Sequence, residues 1–408
     1  MIDFGELLGG TGVWWGQAAA EPRPLVDALL EPGRKRGPLR LFTGLSWNDT
    51  LTSVLGDDDE MISYGGLGAL RKLGDRLQVV PCHYGAMPRL FAEGHLPADI
   101  GLIQVSPPDD DGRCSLGIGS DYMADAAAVT PRLFAEINKQ MPAVPGAPSL
   151  PLERFAGMVE TDRRLANETV REPEDADRRI AAGIAGLIDD GDTLQIGVGA
   201  IGAAVLEALV GHRDLGVHTG MVTDGVMRLI DAGVITNAAK PIDRGFCVAG
   251  TALGSTELYD RSTELPFRFA ATSYTHAPQV LSQISNLVAV NFAIEVDLTG
   301  QVGAELSRGN YLGAVGGQVD FARAASYTGK RSVVALRAAV RGRSSIKFVL
   351  EEGAVSTGRA DVDCVVTEYG VAHLRGQPLA ERRRRLIGVA APEFRDDLAR
   401  KVAEARNS

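Results

Sequence analysis

Thr193 to Lys240 reads TLQIGVGAIGAAVLEALVGHRDLGVHTGMVTDGVMRLIDAGVITNAAK, and the order of signals along it decides the fold class. An apolar strand-length run, Thr193 to Ile196, meets a turn carrying Gly197, Gly199 and Gly202. A helical pattern follows from Ala203 to His212, then a second strand from Leu215 to Thr219 and a second helix from Gly225 to Ala232. Strands that alternate with helices run parallel, and open parallel sheets take their ligands past the carboxyl ends of the strands. The loops after Ile196 and Thr219 are therefore where a site is expected.

The run Gly197-Val198-Gly199-Ala200-Ile201-Gly202 fits G-x-G-x-x-G in the strand-turn-helix setting that a dinucleotide site requires. Such a site also wants an acid about 20 positions on, closing the second strand, to hold a ribose hydroxyl. Gly220 stands there. Asp224 is the nearby acid, and its place past the strand suits the cap of the next helix. The glycines thus mark bare backbone approaching some ligand. A dinucleotide oxidoreductase remains a rival reading.

Working outward, strand-length apolar runs recur at Leu39 to Thr43, Leu77 to Pro81, Ile100 to Val105 and Arg132 to Ile137, after a strand-like TGVWWG and a helix from Pro22 to Leu30. The C-terminal half repeats the alternation with strands near Thr193, Leu215, Gly245, Leu287, Ser332 and Val362. Both halves read as mostly parallel sheets covered by helices. The stretch MPAVPGAPS (141–149) reads as a linker, SPPDDDGRCSLGIGS (106–120) as a long loop, and 286–306 as a hairpin turning at Thr299-Gly300. Trp14 and Trp15 read as core.

With 408 residues, 45% hydrophobic and 23% charged, the chain can bury a large core without covalent staples. A net charge of -10 argues against a nucleic-acid surface, and the run Arg382 to Arg385 is read as a solvated or salt-bridged helix face. Cys82, Cys114, Cys247 and Cys364 are scattered singly, so neither a zinc site nor a disulfide framework is indicated. His83, His95, His212 and His373 are isolated, and no metal is expected. Ser106 and Ser120 lack a G-x-S-x-G elbow. No secretion signal or bilayer-length apolar segment is visible, so the expected location is cytoplasmic, away from membranes.

The runs VSPPDDDGRCSLGIGSDY, AEINKQMP, LQIGVGAIGAAVL, LGVHTGMVTDGVMRLIDAGVITNAAK, IEVDLTGQV, AVGGQVDFARAA and VVTEYGVAHLRG together resemble the acetyl-CoA hydrolase/CoA-transferase family, in one order across nearly the whole chain. The resemblance implies two open, mostly parallel α/β domains facing each other across a cleft. These are 1–160, and 161–408 with the CoA-binding loops. It implies an acyl-CoA thioester as substrate, no tightly bound cofactor, and a homo-oligomer, dimer or tetramer.

The same resemblance implies a glutamate nucleophile that closes the second strand of the opening stretch, in a pattern like G-x-H-[ST]-E-M. Here that pattern reads Gly216-Val217-His218-Thr219-Gly220-Met221, with glycine in place of the glutamate. The expectation is hydrolysis, with water standing where the carboxylate would. The alternatives are a CoA-transferase using another acid and a CoA-ligand binding protein without catalysis. CoA contacts carried over from the resemblance are Gln195, Gly197, Val198, Gly199, Ala200, Ile201, Asn291 on the hairpin strand, Gly316, Gly317 and Arg341, with Ala314 replacing the first glycine of the second loop.

Three residues are candidates for moving the water's proton. Glu295, on the hairpin strand, is a credible general base or else a salt-bridged strand residue. His218 is a base or a structural histidine, and Asp224 a base or a helix cap. His276 in SYTHAPQV stands one residue out of step with an Asn-His-Pro triplet of the family and is given no role.

Overall fold

The structure is a computed structural model that describes residues 2–407. Two compact units interleave along the chain. The first holds the residues up to Thr169 together with Thr219–Asp224 and Cys247–Ala277; the second holds Val170–His218, Gly225–Phe246 and Pro278 onward. The strand Gly216–Val222 thus passes from the second unit to the first after His218.

The first unit is built on a seven-stranded sheet, parallel throughout. Its order is Leu77–Val79, Glu60–Ser63, Arg40–Phe42, Gly12–Trp15, Ile100–Val105, Arg132–Asn138, Phe155–Thr161. Ile100–Val105 (IGLIQV) is buried at every position, the composition of a strand covered on both faces. Trp14 and Trp15 are both fully buried. Successive residues of a strand point to opposite faces. Trp14 accordingly meets Phe91 and Tyr122 edge-on, while Trp15 joins Leu25, Leu41 and Phe134. Strand order runs one way from Gly12–Trp15 and jumps to Ile100–Val105 on the other side, so Gly16 and Gln17 leave the sheet at its topological switch point.

Glu60–Ser63 and Phe155–Thr161 have no counterpart among the expected runs. The first is four residues long behind an acidic turn; the second, at the sheet's edge, alternates exposed with half-buried positions after a buried Phe155. The linker expected at 141–149 is instead part of the first unit. Met141 and Val144 are buried, and Ser149–Pro151 pairs antiparallel with Arg113–Ser115, which also pins the loop expected over 106–120. Proline and glycine there make turns within a unit.

In the second unit the strand order is Gly216–Val222, Thr193–Ile196, Leu287–Phe292, Ser332–Ala335, Cys364–Thr367, Gly370–His373, with only the last pairing antiparallel. Its switch point lies between Thr193–Ile196 and Leu287–Phe292. The expected long hairpin is shorter than its pattern. Leu287–Phe292 joins the parallel sheet, and only Glu295–Asp297 and Val302–Gly303 pair as a hairpin, turning through Gly300 at φ 96°. The run LVAVNF is buried at all but its last position, so it belongs to a two-face-covered strand rather than to an exposed ribbon.

Asp177, in the helix Asp175–Ala185, ties that helix to the sheet. Its carboxylate accepts from Arg337 Nε at 2.9 Å, from Arg337 Nη2 at 2.7 Å and from Arg171 Nη2 at 2.8 Å. Burial alone would raise this carboxyl, but the two guanidiniums and the Glu174 N–H hold it down at about 2. Among the described residues, no helix is long and apolar enough to cross a membrane.

Candidate active site

At the second unit's switch point the chain leaves Ile196 into the glycine loop. Gly199 has φ 110° and ψ -178°, a conformation that L side chains rarely adopt, and it precedes the helix Ala200–Ala208 with no side-chain cap. A Cβ at Gly202 would lie 2.2 Å from the Gly197 carbonyl oxygen, so close packing of backbone on backbone makes that position glycine as well. The first N–H groups of a helix have no partner within the helix and lie at its positive end. Beside the loop, Gln195 Nε2 donates to Asn291 Oδ1 and Asn291 Nδ2 donates to Gln195 Oε1, both at 3.2 Å. This surface offers N–H donors and neutral amides, which can hold an anionic or carbonyl group and give no proton away.

In the first unit Gly220 lies inside the strand Gly216–Val222, not at its end as expected. Its backbone is outside the left-handed region, so a side chain there meets no conformational objection. A Cβ built on Gly220 would lie 3.5 Å from both Cε1 and Nε2 of His276, ordinary van der Waals contact. His276 ends the short helix Thr272–Thr275 and is 3% exposed. Its Nδ1 is 2.8 Å from Thr275 Oγ1, and its ring lies tilted on Tyr84 with centroids 4.9 Å apart. The residue set aside for its spacing is thus the one whose imidazole edge occupies the approach to position 220.

Behind this pair lies a buried acid. Asp121 opens the helix Asp121–Val129, and a Cβ on Gly250 would meet Asp121 Cβ at 3.0 Å and the Gly220 carbonyl oxygen at 3.0 Å. Gln17 fixes the acid's surroundings. Its Oε1 accepts from Leu45 N–H at 2.8 Å and Tyr64 O–H at 3.0 Å, which turns the Nε2 donors toward Tyr84 Oη at 2.9 Å and Asp121 Oδ2 at 2.5 Å. Every lone pair and proton of that amide is used. Burial pushes the Asp121 carboxyl up to about 6, against the lowering effect of bonds from Gln17, Met123 N–H and Tyr84. Ser120 donates its N–H to the Gly250 carbonyl at 3.0 Å, and its buried Oγ has no hydrogen-bond partner among the described residues.

The remaining expected residues scatter over different elements. His218 is fully buried in the second unit, edge-on to Phe321 at 6.4 Å, as a structural histidine would be. Asp224 is the first residue of the helix Asp224–Asp231, and its carboxylate accepts from Ser255 N–H at 3.1 Å and from Ser255 Oγ–H, so it is engaged by the next loop. Asn291 is on the parallel strand Leu287–Phe292 and not on the hairpin. Glu295 is on the hairpin, 4% exposed, accepting from Glu352 N–H at 3.3 Å; burial raises its carboxyl, opposed by that bond and by Lys347. Gly316, at φ 54°, and Gly317 precede the helix Gln318–Tyr327, and Arg341 stands exposed in the turn between Ala339–Val340 and Arg343–Ser344. The sequence holds no local signal that would have joined Gln17, Asp121, Tyr84 and His276, because each comes from a different element.

The two parallel sheets with ligand-type surfaces at their switch points define an α/β protein of the CoA-transferase fold. The acetyl-CoA hydrolase/transferase N-terminal domain matches residues 7–163 and the corresponding C-terminal domain matches 254–402. A 4-hydroxybutyrate coenzyme A transferase of Clostridium kluyveri is 40% identical over 328 residues, 79% of this chain and 76% of that protein. Among solved structures, 4-hydroxybutyrate CoA-transferase from Porphyromonas gingivalis has a TM-score of 0.82 at 35% identity, covering 97% of this chain and 94% of that one. RipA from Yersinia pestis has a TM-score of 0.90 at 31% identity, covering 98% and 95%. The chain belongs to the acetyl-CoA hydrolase/transferase family, whose enzymes hydrolyse acyl-CoA or transfer its CoA.

Proposed function

We propose that this enzyme hydrolyses an acyl-CoA thioester, with water standing at the position where the resemblance implies a glutamate. The observation that carries the reading is Gly220, a residue without a side chain, next to a buried imidazole edge 3.5 Å from where a Cβ would be. Transfer through a glutamyl thioester needs a carboxylate to attack the carbonyl carbon, and glycine offers none. Stabilising the oxyanion that develops on the carbonyl would fall to preorganised N–H donors, a role such groups perform without rearrangement.

The test is to mix purified protein with acetyl-, butyryl- and 4-hydroxybutyryl-CoA and to follow free thiol with and without acetate as acceptor. Thiol release without acceptor is the expected result; strict dependence on acetate, with the acyl group exchanged, would return the enzyme to group transfer. Saturable binding with no turnover in either arm would make it a CoA-ligand binding protein. A Cβ at position 220 meets only ordinary van der Waals contact, and Gly220→Glu is expected to gain acetate-dependent transfer and a trapped CoA adduct visible as a mass increase.

A second reading, transfer through another acid, is favoured by one observation. Asp121 is a buried carboxyl one glycine away from Gly220. It predicts that wild-type protein incubated with acyl-CoA and no acceptor carries the adduct on Asp121, which peptide mass mapping would locate.

A further inference from the structure

We infer that His276 is the base that takes the proton from the attacking water. This rests on the hydrolytic reading above and adds to it the residue that the chemistry needs once the carboxylate is gone. Water is a weak nucleophile, and a positioned base near neutral pKa is the ordinary way to strengthen it. Glu295 and Asp224, the acids expected for the task, have their carboxylates against Glu352 N–H and Ser255 respectively, and His218 faces the Phe321 ring. His276 presents Cε1 and Nε2 to the face of Gly220 from which a glutamate would have projected.

Its setting also orients the ring. Thr275 Oγ1 lies 2.8 Å from Nδ1, and in the proposed role Nδ1 carries its proton toward that oxygen, which leaves the lone pair of the neutral imidazole on Nε2. Tyr84 lies against the ring, and Tyr84 is itself held by Gln17, which accepts from Leu45 N–H and Tyr64 O–H. The imidazole therefore rests on a network whose every member is bonded, as a base that must keep its aim requires.

In the reaction the water oxygen bonds to the thioester carbonyl carbon while its proton passes to Nε2. The tetrahedral adduct collapses, the carbon–sulfur bond breaks with its electron pair on sulfur, and the imidazolium returns the proton to that sulfur. One water is consumed, and a carboxylic acid and the CoA thiol leave. The imidazole ends as it began.

The experiment measures thiol release from acetyl- and butyryl-CoA by wild type, His276→Ala and His276→Asn, with binding of each thioester followed by calorimetry. The expected result is a loss of kcat of about 100-fold or more in both variants, with KM and binding within about two-fold of wild type. Added imidazole should restore turnover to His276→Ala, which the loss of a merely structural ring would not allow. Full hydrolysis by variants that still bind would overturn the role of His276 and leave hydrolysis standing. No thiol release by wild type would overturn hydrolysis itself, and the inference with it. Reduced binding by both variants, without imidazole rescue, would make His276 a packing residue.

Discussion

Where strand order reverses in the first unit, the chain delivers Gln17, whose amide is hydrogen-bonded to Tyr64, Tyr84 and Asp121, and the His276 ring lies against Tyr84. Where it reverses in the second unit, the same topology delivers Gly197 to Gly202 and a reciprocal amide pair, with no titratable side chain among those residues. One surface can store and move protons; the other can only present fixed dipoles. In the hydrolysis proposed above, the attacking water must lose a proton while the carbonyl oxygen gains charge. The contrast teaches that a shared topology fixes where a site lies, while burial and residue type decide what it does.

The largest effect should come from the dipole surface, because its geometry depends on backbone. In Gly202→Ala the added methyl would meet the Gly197 carbonyl oxygen at 2.2 Å, a contact that only movement of the loop can relieve. The expected outcome is a loss of about 3 kcal/mol or more of stability and of acyl-CoA binding, read by thermal melts and calorimetry. A variant that melts and binds like wild type would show that the loop is pliable and break the contrast with the first unit.

Next comes the proton-storing surface. An aspartate ordinarily ionises near 3.8, and burial holds Asp121 neutral up to about 6, so its neutral form is the one the fold favours. Its contribution to stability is therefore complete below the ordinary value and is lost as pH rises through about 6. Asp121→Asn removes that loss. The melting temperature of the variant relative to wild type should rise between about pH 5 and about pH 8, by the equivalent of about 1–2 kcal/mol. A difference that does not change with pH would mean that Asp121 is ionised throughout and well paired. Smaller again is Gln195→Leu, which strips Asn291 of its reciprocal partner at about 1 kcal/mol, a cost that should be the same at both pH values.

The dipole surface was legible in the sequence and the proton surface was not, for a physical reason. The glycine spacing after a strand is a local pattern, and the backbone conformations it encodes are local too, so Gly197, Gly199, Gln195 and their strand could be read directly. The run around Asn291 reads as a hairpin because an apolar stretch with occasional polar residues imitates alternation, although its neighbours are buried on both faces. The spacing around His276 gives it no role, yet its place beside Gly220 is set by the packing of a short helix, which spacing along the chain does not report. Lys240 is a further case. Its stem fits against Gly216 and its Nζ donates to the Val217 and Phe246 carbonyls, a burial that nothing in the run NAAK announces.

The smallest expected effect on the fold falls at Arg341, the basic residue expected at the CoA phosphates. Arg341 has φ 51° and is followed by Gly342 at φ 73°, two left-handed residues in a row joining Ala339–Val340 to Arg343–Ser344. Asparagine and glycine suit such a turn best, and arginine there carries a small conformational cost. Retaining arginine at that cost points to a use for its charge. Arg341→Asn should therefore raise stability by a few tenths of a kcal/mol while raising KM for acyl-CoA several-fold, with kcat unchanged. Added salt should weaken wild-type binding more than binding by the variant, since the pairing of an exposed cation with phosphate is screened. A variant with unchanged KM and unchanged salt dependence would remove Arg341 from the ligand and leave the glycine loop to hold the substrate by neutral dipoles alone.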